Sequence, residues 1–255
     1  MTVLETGASS PSPMLAGKIA VVTGGTRGIG AAIVEVYAEA GATVVYTGRQ
    51  VPRPEPTGHP TPQPIAHPCD LADEGSISAL FDFVHERFGG ADVLVNNAAI
   101  HDNAAAHKMS SEQFRRVVDT DLVGTFLCSK LAALQMREHG RGGAIVNITS
   151  IASVTANAGQ VNYVAAKAGV EAMTKVMARE NARRGIRVNA IRPGLIHTDM
   201  TADMPEQLWA QKVATTPMGR PGDAHEVARA ALFLASPHAS YVTGVVLDVS
   251  GGRGM

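Results

Sequence analysis

Short apolar runs alternate with longer stretches of helical periodicity from Lys18 to the C-terminus. Ile19 to Val22 reads as a buried strand. From Ile29 to Ala40 the apolar residues Ile33, Val34, Val36 and Tyr37 recur at helical spacing. Further strands are predicted at Thr43 to Tyr46, near Ile65, and at Val93 to Val95, Ala144 to Asn147, Arg187 to Ile191 and Val245 to Leu247. Helices are predicted over about 76–88, 111–138, 163–182 and 224–235. Strand and helix alternating along a whole chain imply an α/β fold, a parallel sheet covered by helices on both faces. No internal repeat or linker interrupts the pattern, so residues 15–255 are expected to form one domain. Residues 1–14, rich in Ser, Pro and Gly, are expected to be a flexible tail.

One segment departs from this rhythm. Between Gln50 and Pro68, prolines stand at 52, 54, 56, 60, 62, 64 and 68, half of the chain's 14. Proline lacks an N–H and cannot sit inside a helix, so an extended, polyproline-like surface loop is expected here.

Composition narrows the classes of function. Apolar residues make up 45% of the chain, charged residues 18%, and the formal net charge is −1. That balance offers no electrostatic footprint for nucleic acid or a membrane surface. Cys69 and Cys128 alone cannot build a disulfide framework or a CxxC site, and the histidines lack metal-ligand spacing, so no metal is expected. With no basic, apolar leader and no run long enough to span a bilayer, a cytoplasmic protein is expected.

The first strand runs directly into Thr23-Gly-Gly-Thr-Arg-Gly-Ile-Gly30, which opens a helix. In that context backbone N–H groups at a helix N-terminus can hold a pyrophosphate. Gly24 permits the tight turn, and Gly28 and Gly30 let the backbone approach a dinucleotide. Thr26 and Ile29 belong to the same cradle. At the end of the second strand a site for NAD usually carries an acid; here Thr47-Gly48-Arg49 carries a guanidinium instead. Arg49 together with Arg27 favours NADP(H), whose 2′-phosphate they can neutralise. Arg53 is read as a solvated loop residue.

Tyr163 and Lys167 stand at i and i+4, hence on one helix face, and Ser150 ends a strand thirteen residues earlier (163 − 150 = 13). Joined to the glycine turn, this set resembles the short-chain dehydrogenase/reductase family over essentially the whole chain from Leu15 to Gly252. The matching pieces are Thr23 to Gly30, Asp70-Leu71, Asn96-Asn-Ala-Ala99, Ser150, Tyr163-x-x-x-Lys167 and Pro193-Gly-x-x-x-Thr198. Within the family the chain is most similar to the 3-oxoacyl-(acyl-carrier-protein) reductases and related ketoreductases. The resemblance implies a Rossmann-type, doubly wound sheet of about seven strands, a nicotinamide cofactor and a homotetramer. It implies that Tyr163 gives a proton to a carbonyl oxygen, that Ser150 hydrogen-bonds that oxygen, and that Lys167 serves both the phenol and the nicotinamide ribose. A free phenol ionises near pH ~10, so a nearby ammonium suits it to work near neutrality. The resemblance also has Pro193, Ile196 and Thr198 holding the nicotinamide, Asn97, Ala98 and Ala99 lining the adenosine ribose, and Asp70 and Leu71 edging the adenine.

Two positions depart from the family pattern. Ala99 replaces a glycine, and Asp121 stands where the family's fourth catalytic member is asparagine. Asp121 is expected within a water's reach of Lys167, and ionised beside it. His101 and His107 follow the Asn96-Asn-Ala-Ala99 turn and are either at the edge of a substrate mouth or, as read here, surface-loop histidines; His197 is read as present through its backbone. After Thr198, Met200, Met204, Leu208 and Trp209 form either an apolar wall over a substrate or the ordinary packing of a short helix. Arg141 and Arg184 match positions through which relatives dock an acyl-carrier protein. The expected substrate is a 3-oxoacyl thioester or polyketide-like ketone. The alternatives are a free small ketone or alcohol with no carrier, and a non-catalytic NADP-binding regulator.

Overall fold

Seven parallel strands form one sheet in the order β3-β2-β1-β4-β5-β6-β7. A computed structural model describes residues 13–51, 63–202 and 204–255, without the side chain of Met200. Along the chain the elements are β1 (Ile19–Val22), α1 (Gly28–Glu39), β2 (Thr43–Gly48), β3 (Ile65–Pro68), α2 (Glu74–Phe88), β4 (Val93–Asn96) and α3 (Ser111–Val118). A π-helical turn (Asp119–Gly124) leads into α4 (Thr125–His139), followed by β5 (Gly143–Ile148), α5 (Ala152–Thr155), α6 (Val161–Asn181) and β6 (Ile186–Pro193). The last elements are α7 (Asp199–Ala202), α8 (Glu206–Ala214), α9 (Ala224–Ala235) and β7 (Val246–Val249).

Alternate strand residues feed two separate cores, as the two-residue period of a strand requires. Ala20, Val22, Val44, Val95, Val146 and Ile148 pack against Ile33, Val34 and Tyr37 of α1 and Val227, Ala231 and Leu234 of α9. Val21, Val45, Leu94, Ile145 and Val188 face Ile77, Leu80 and Phe81 of α2, Ala132 and Met136 of α4, and Met177 of α6. Burying each Val, Leu or Ile side chain contributes roughly 1.5–3 kcal/mol, so a sheet covered on both faces follows from the near-continuous apolar strands.

Three sequence expectations change. The helix predicted over 111–138 is not uniform, because residues 119–124 wind as a π-turn, a local widening that apolar periodicity does not report. The proline-rich stretch ends in β3, the edge strand of the sheet, where Pro68 withholds no donor from a second neighbour. Its residues 52–62, Arg53 included, lie outside the described residues. Most of the expected tail does too, but Pro13 already accepts a hydrogen bond from Ala16 N at 3.0 Å, beside the fully buried Leu15. Among the described residues, no helix is long and apolar enough to cross a membrane.

Candidate active site

The carboxyl ends of the central strands open into a cavity of about 980 Å³. Its lining joins residues far apart in the chain: Gly24, Thr26, Arg27, Gly28 and Ile29 of the glycine turn, Arg49 after β2, Asp70 and Leu71 after β3, and Asn97, Ala98 and Ala99 after β4. Ser150, Tyr163, Lys167, Pro193, Ile196 and Thr198 complete it. Of the expected catalytic and cofactor-binding residues, Gly30 and Asp121 alone are absent from this lining, and both are buried.

The glycine turn is built for a ligand. Helices α2, α3 and α9 are capped by the side chains of Asp73, Ser110 and Asp223. Helix α1 has no side-chain cap and no acid in its first turn, which leaves its positive end and N–H groups facing the cavity. A Cβ on Gly30 would run into the Gly24 carbonyl and the Asn97 amide. Gly28, at φ +55°, turns its bare Cα toward Thr198, whose methyl a Cβ would meet at 3.5 Å. The cradle is thus one a side chain would fill. Asn97 commits its amide hydrogens to Thr23 O (3.1 Å) and Gly24 O (2.9 Å), so it fixes the turn's shape in addition to lining the cavity. Arg27 and Arg49 are exposed at the same end, and neither makes an ion pair with another described residue.

At the other end Tyr163 is buried in the first turn of α6, and Lys167 lies one turn on, its Nζ 5.5 Å from the phenol ring centroid. Lys167 Nζ donates to Ile148 O at 3.2 Å, tying α6 to the end of β5. Ser150 follows two residues after β5 rather than ending it. Its Oγ accepts from Ala152 N at 3.2 Å, which leaves the hydroxyl hydrogen for another acceptor. Behind it Ser153 Oγ reaches Glu171 Oε1 at 2.6 Å, and Glu171 pairs with Arg192 at 2.7 Å. Burial pushes the Glu171 carboxyl up, but the hydrogen bonds from Arg192 and Ser153 outweigh it and the net direction is down.

Asp121 lies within the expected reach of Lys167: Oδ2 is 3.7 Å from Nζ, and Oδ1 accepts from Ile100 N at 2.9 Å. The π-turn carries this side chain inward, and its carbonyl is held by Thr125 Oγ1 at 2.8 Å. Burial pushes the Asp121 carboxyl up, the Lys167 charge and the Ile100 N–H pull it down, and the net direction is upward.

His101 is not a surface histidine. Its ring packs on Tyr163 with centroids 4.3 Å apart and lines the cavity. Both neighbours are tethered: Ile100 N to Asp121, and Asp102 O to Asn162 Nδ2 at 2.9 Å, next to Tyr163 itself. Burial and the Lys167 charge pull its pKa below the ordinary 6.5. Its position after the Asn-Asn-Ala-Ala turn was the available signal. His107 is exposed, as expected.

Met204 and Leu208 line the cavity, whereas Trp209 instead packs on His197 with centroids 5.5 Å apart, hooking α8 to the loop after β6. His197 thus contributes its ring as well as its backbone. Arg141 is held by Asp92 at 3.2 Å, and it and the exposed Arg184 flank the starts of β5 and β6, the sheet edge opposite the cavity. Among the described residues no group of three or more potential metal ligands occurs.

A doubly wound parallel sheet with an uncapped glycine helix and a buried Tyr–Lys pair defines a dinucleotide-dependent oxidoreductase site. A family model described as enoyl-(acyl carrier protein) reductase matches residues 24–253. An oxidoreductase of Mycobacterium bovis is 46% identical over 243 residues, 94% of this chain and 98% of its own. A 3-oxoacyl-(acyl-carrier-protein) reductase of Vibrio cholerae is 41% identical over 94% of this chain and 99% of its own. A 3α-hydroxysteroid dehydrogenase of Mediterraneibacter gnavus is 40% identical over 93% and 97%. The chain belongs to the short-chain dehydrogenase/reductase family, oxidoreductases that use nicotinamide cofactors on CH–OH and C=O groups.

Proposed function

We propose that this protein is an NADP(H)-dependent reductase that converts a ketone to a secondary alcohol, with Tyr163 as proton donor. The observation that carries the reading is the burial of Tyr163 and Lys167 in the same cavity that Ser150 and the uncapped glycine turn border. When bound, the nicotinamide supplies the hydride to the carbonyl carbon. Gly24, Thr26, Gly28, Ile29 and Gly30 hold its pyrophosphate, Asn97 to Ala99 with Asp70 and Leu71 enclose the adenosine, and Pro193, Ile196 and Thr198 hold the nicotinamide. Arg27 and Arg49 take the 2′-phosphate, which no acid at the end of β2 opposes.

Ser150 donates its free hydroxyl hydrogen to the carbonyl oxygen, where charge develops. Tyr163 delivers the phenolic proton to the same oxygen, and the Lys167 charge beside the ring favours the anion left behind. Asp121 positions Lys167, and His101 buttresses the phenol.

The substrate is a 3-oxoacyl thioester or polyketide-like ketone, a reading supported by the name of the Vibrio cholerae relative. A free small ketone, without acyl-carrier protein, is favoured by one observation: Arg141 is already engaged by Asp92 at the far sheet edge. Assembly as a homotetramer in the cytoplasm accompanies the family reading. The test is a screen of oxoacyl thioesters and free ketones that follows NADPH absorbance, with NADH in parallel. Turnover with NADPH is expected; binding of NADPH without turnover of any ketone would favour a regulatory protein instead.

A further inference from the structure

Two cations line the cavity on segments that are hydrogen-bonded to each other. Lys212, in the last turn of α8, and Arg253, after β7, both line it, and both are half-buried. Thr216 Oγ1 holds the Lys212 carbonyl at 2.9 Å, and Met218 N holds the Gly251 carbonyl at 3.1 Å, so the segment after α8 and the segment after β7 are locked together. Gly251 and Gly252 take φ of +62° and +87° against Thr216 and Pro217, a close packing that a side chain would obstruct. On the far side of Arg253, Gly254 packs against the Asp248 carboxylate, which Arg192 pairs, and against Ile151, the residue after Ser150. Lys212 and Arg253 thus line the cavity that Ser150 also lines.

Among the described residues neither side chain makes an ion pair or a hydrogen bond. Burial pulls the Lys212 ammonium down, and the charge of Arg253 pulls it further in the same direction. Two like charges lining one cavity, neither of them ion-paired, favour an anion that can meet both.

We propose that Lys212 and Arg253 form a subsite for an anionic group, carboxylate or phosphate, carried by the ketone substrate. This rests on the reductase reading above and narrows it to oxo acids or phosphate-bearing thioesters. The experiment compares wild type with the Lys212→Ala/Arg253→Ala double variant and the charge-keeping Lys212→Arg on two substrate pairs. One pair is a 3-oxo acid and its ethyl ester; the other is a 3-oxoacyl coenzyme A and the phosphate-free N-acetylcysteamine thioester. The expected result is a wild-type KM about tenfold lower for the anionic member of at least one pair. The double variant loses that preference while keeping kcat on the neutral member, and Lys212→Arg retains it. Which pair responds separates carboxylate from phosphate. Equal KM values within both pairs in wild type, or an equal rise for both members in the double variant, would overturn the proposal while the reductase reading stands. So would a changed NADPH Kd as the sole effect. If no ketone of any kind were reduced, the reductase reading would fall, and this one with it.

Discussion

The Lys167 ammonium lies 3.7 Å from the Asp121 carboxylate, in a place where their side chains are only 4% and 0% exposed. A carboxylate at Asp121 offsets part of the Lys167 charge that favours a phenolate at Tyr163. Asp121→Asn should remain active and shift the kcat/KM profile of alcohol oxidation toward acid. Superimposable profiles, or an alkaline shift, would contradict this electrostatic role.

His101 gives a second pH signature. Its pKa in the folded chain is below the ordinary 6.5, so the folded state binds fewer protons than the unfolded one just below that pH. The stabilisation is therefore complete above about pH 6.5 and is lost as pH falls through the lower folded value. Between about pH 7 and pH 5, Tm should fall more for wild type than for His101→Phe. The phenylalanine variant should also keep most of kcat by preserving the stack, whereas His101→Ala should lose about tenfold, ~1.4 kcal/mol. Equal pH sensitivity of the two Tm values would refute the assignment.

Arg49 is expected to select the cofactor. NADPH should bind at least about tenfold tighter than NADH, and Arg49→Asp should weaken NADPH far more than NADH, because the new carboxylate would face the 2′-phosphate. Calorimetric Kd values for both cofactors check this; equal affinities in wild type would sink it.

Local chemistry explains what could be read from the chain. Tyr163 and Lys167 share a helix face by spacing alone, and the apolar runs of β1, β4 and β5 mark strands buried on both sides. The order of the seven strands depends on which loops cross over, and no residue pattern states it. Asp121 and His101 depend on it too. Asp121 needs the π-turn to reach Lys167 from α4's side, and His101 needs β4 and α6 placed before it can meet Tyr163. The Lys212–Arg253 pair joins segments 41 residues apart (253 − 212 = 41) through hydrogen bonds between loops, which carry no periodicity.

The central claim is that Tyr163 gives the proton, and one comparison tests it most directly: single-turnover ketone reduction and NADPH Kd for wild type and Tyr163→Phe. Removing one hydroxyl from a buried ring leaves the His101 stack and the Lys167 side chain in place. The account predicts a fall in the reduction rate of about 10²–10⁴, the range for a lost general acid, with the NADPH Kd within about twofold. A Tyr163→Phe protein that reduced the ketone at the wild-type rate would contradict it, because the proton would then come from another group.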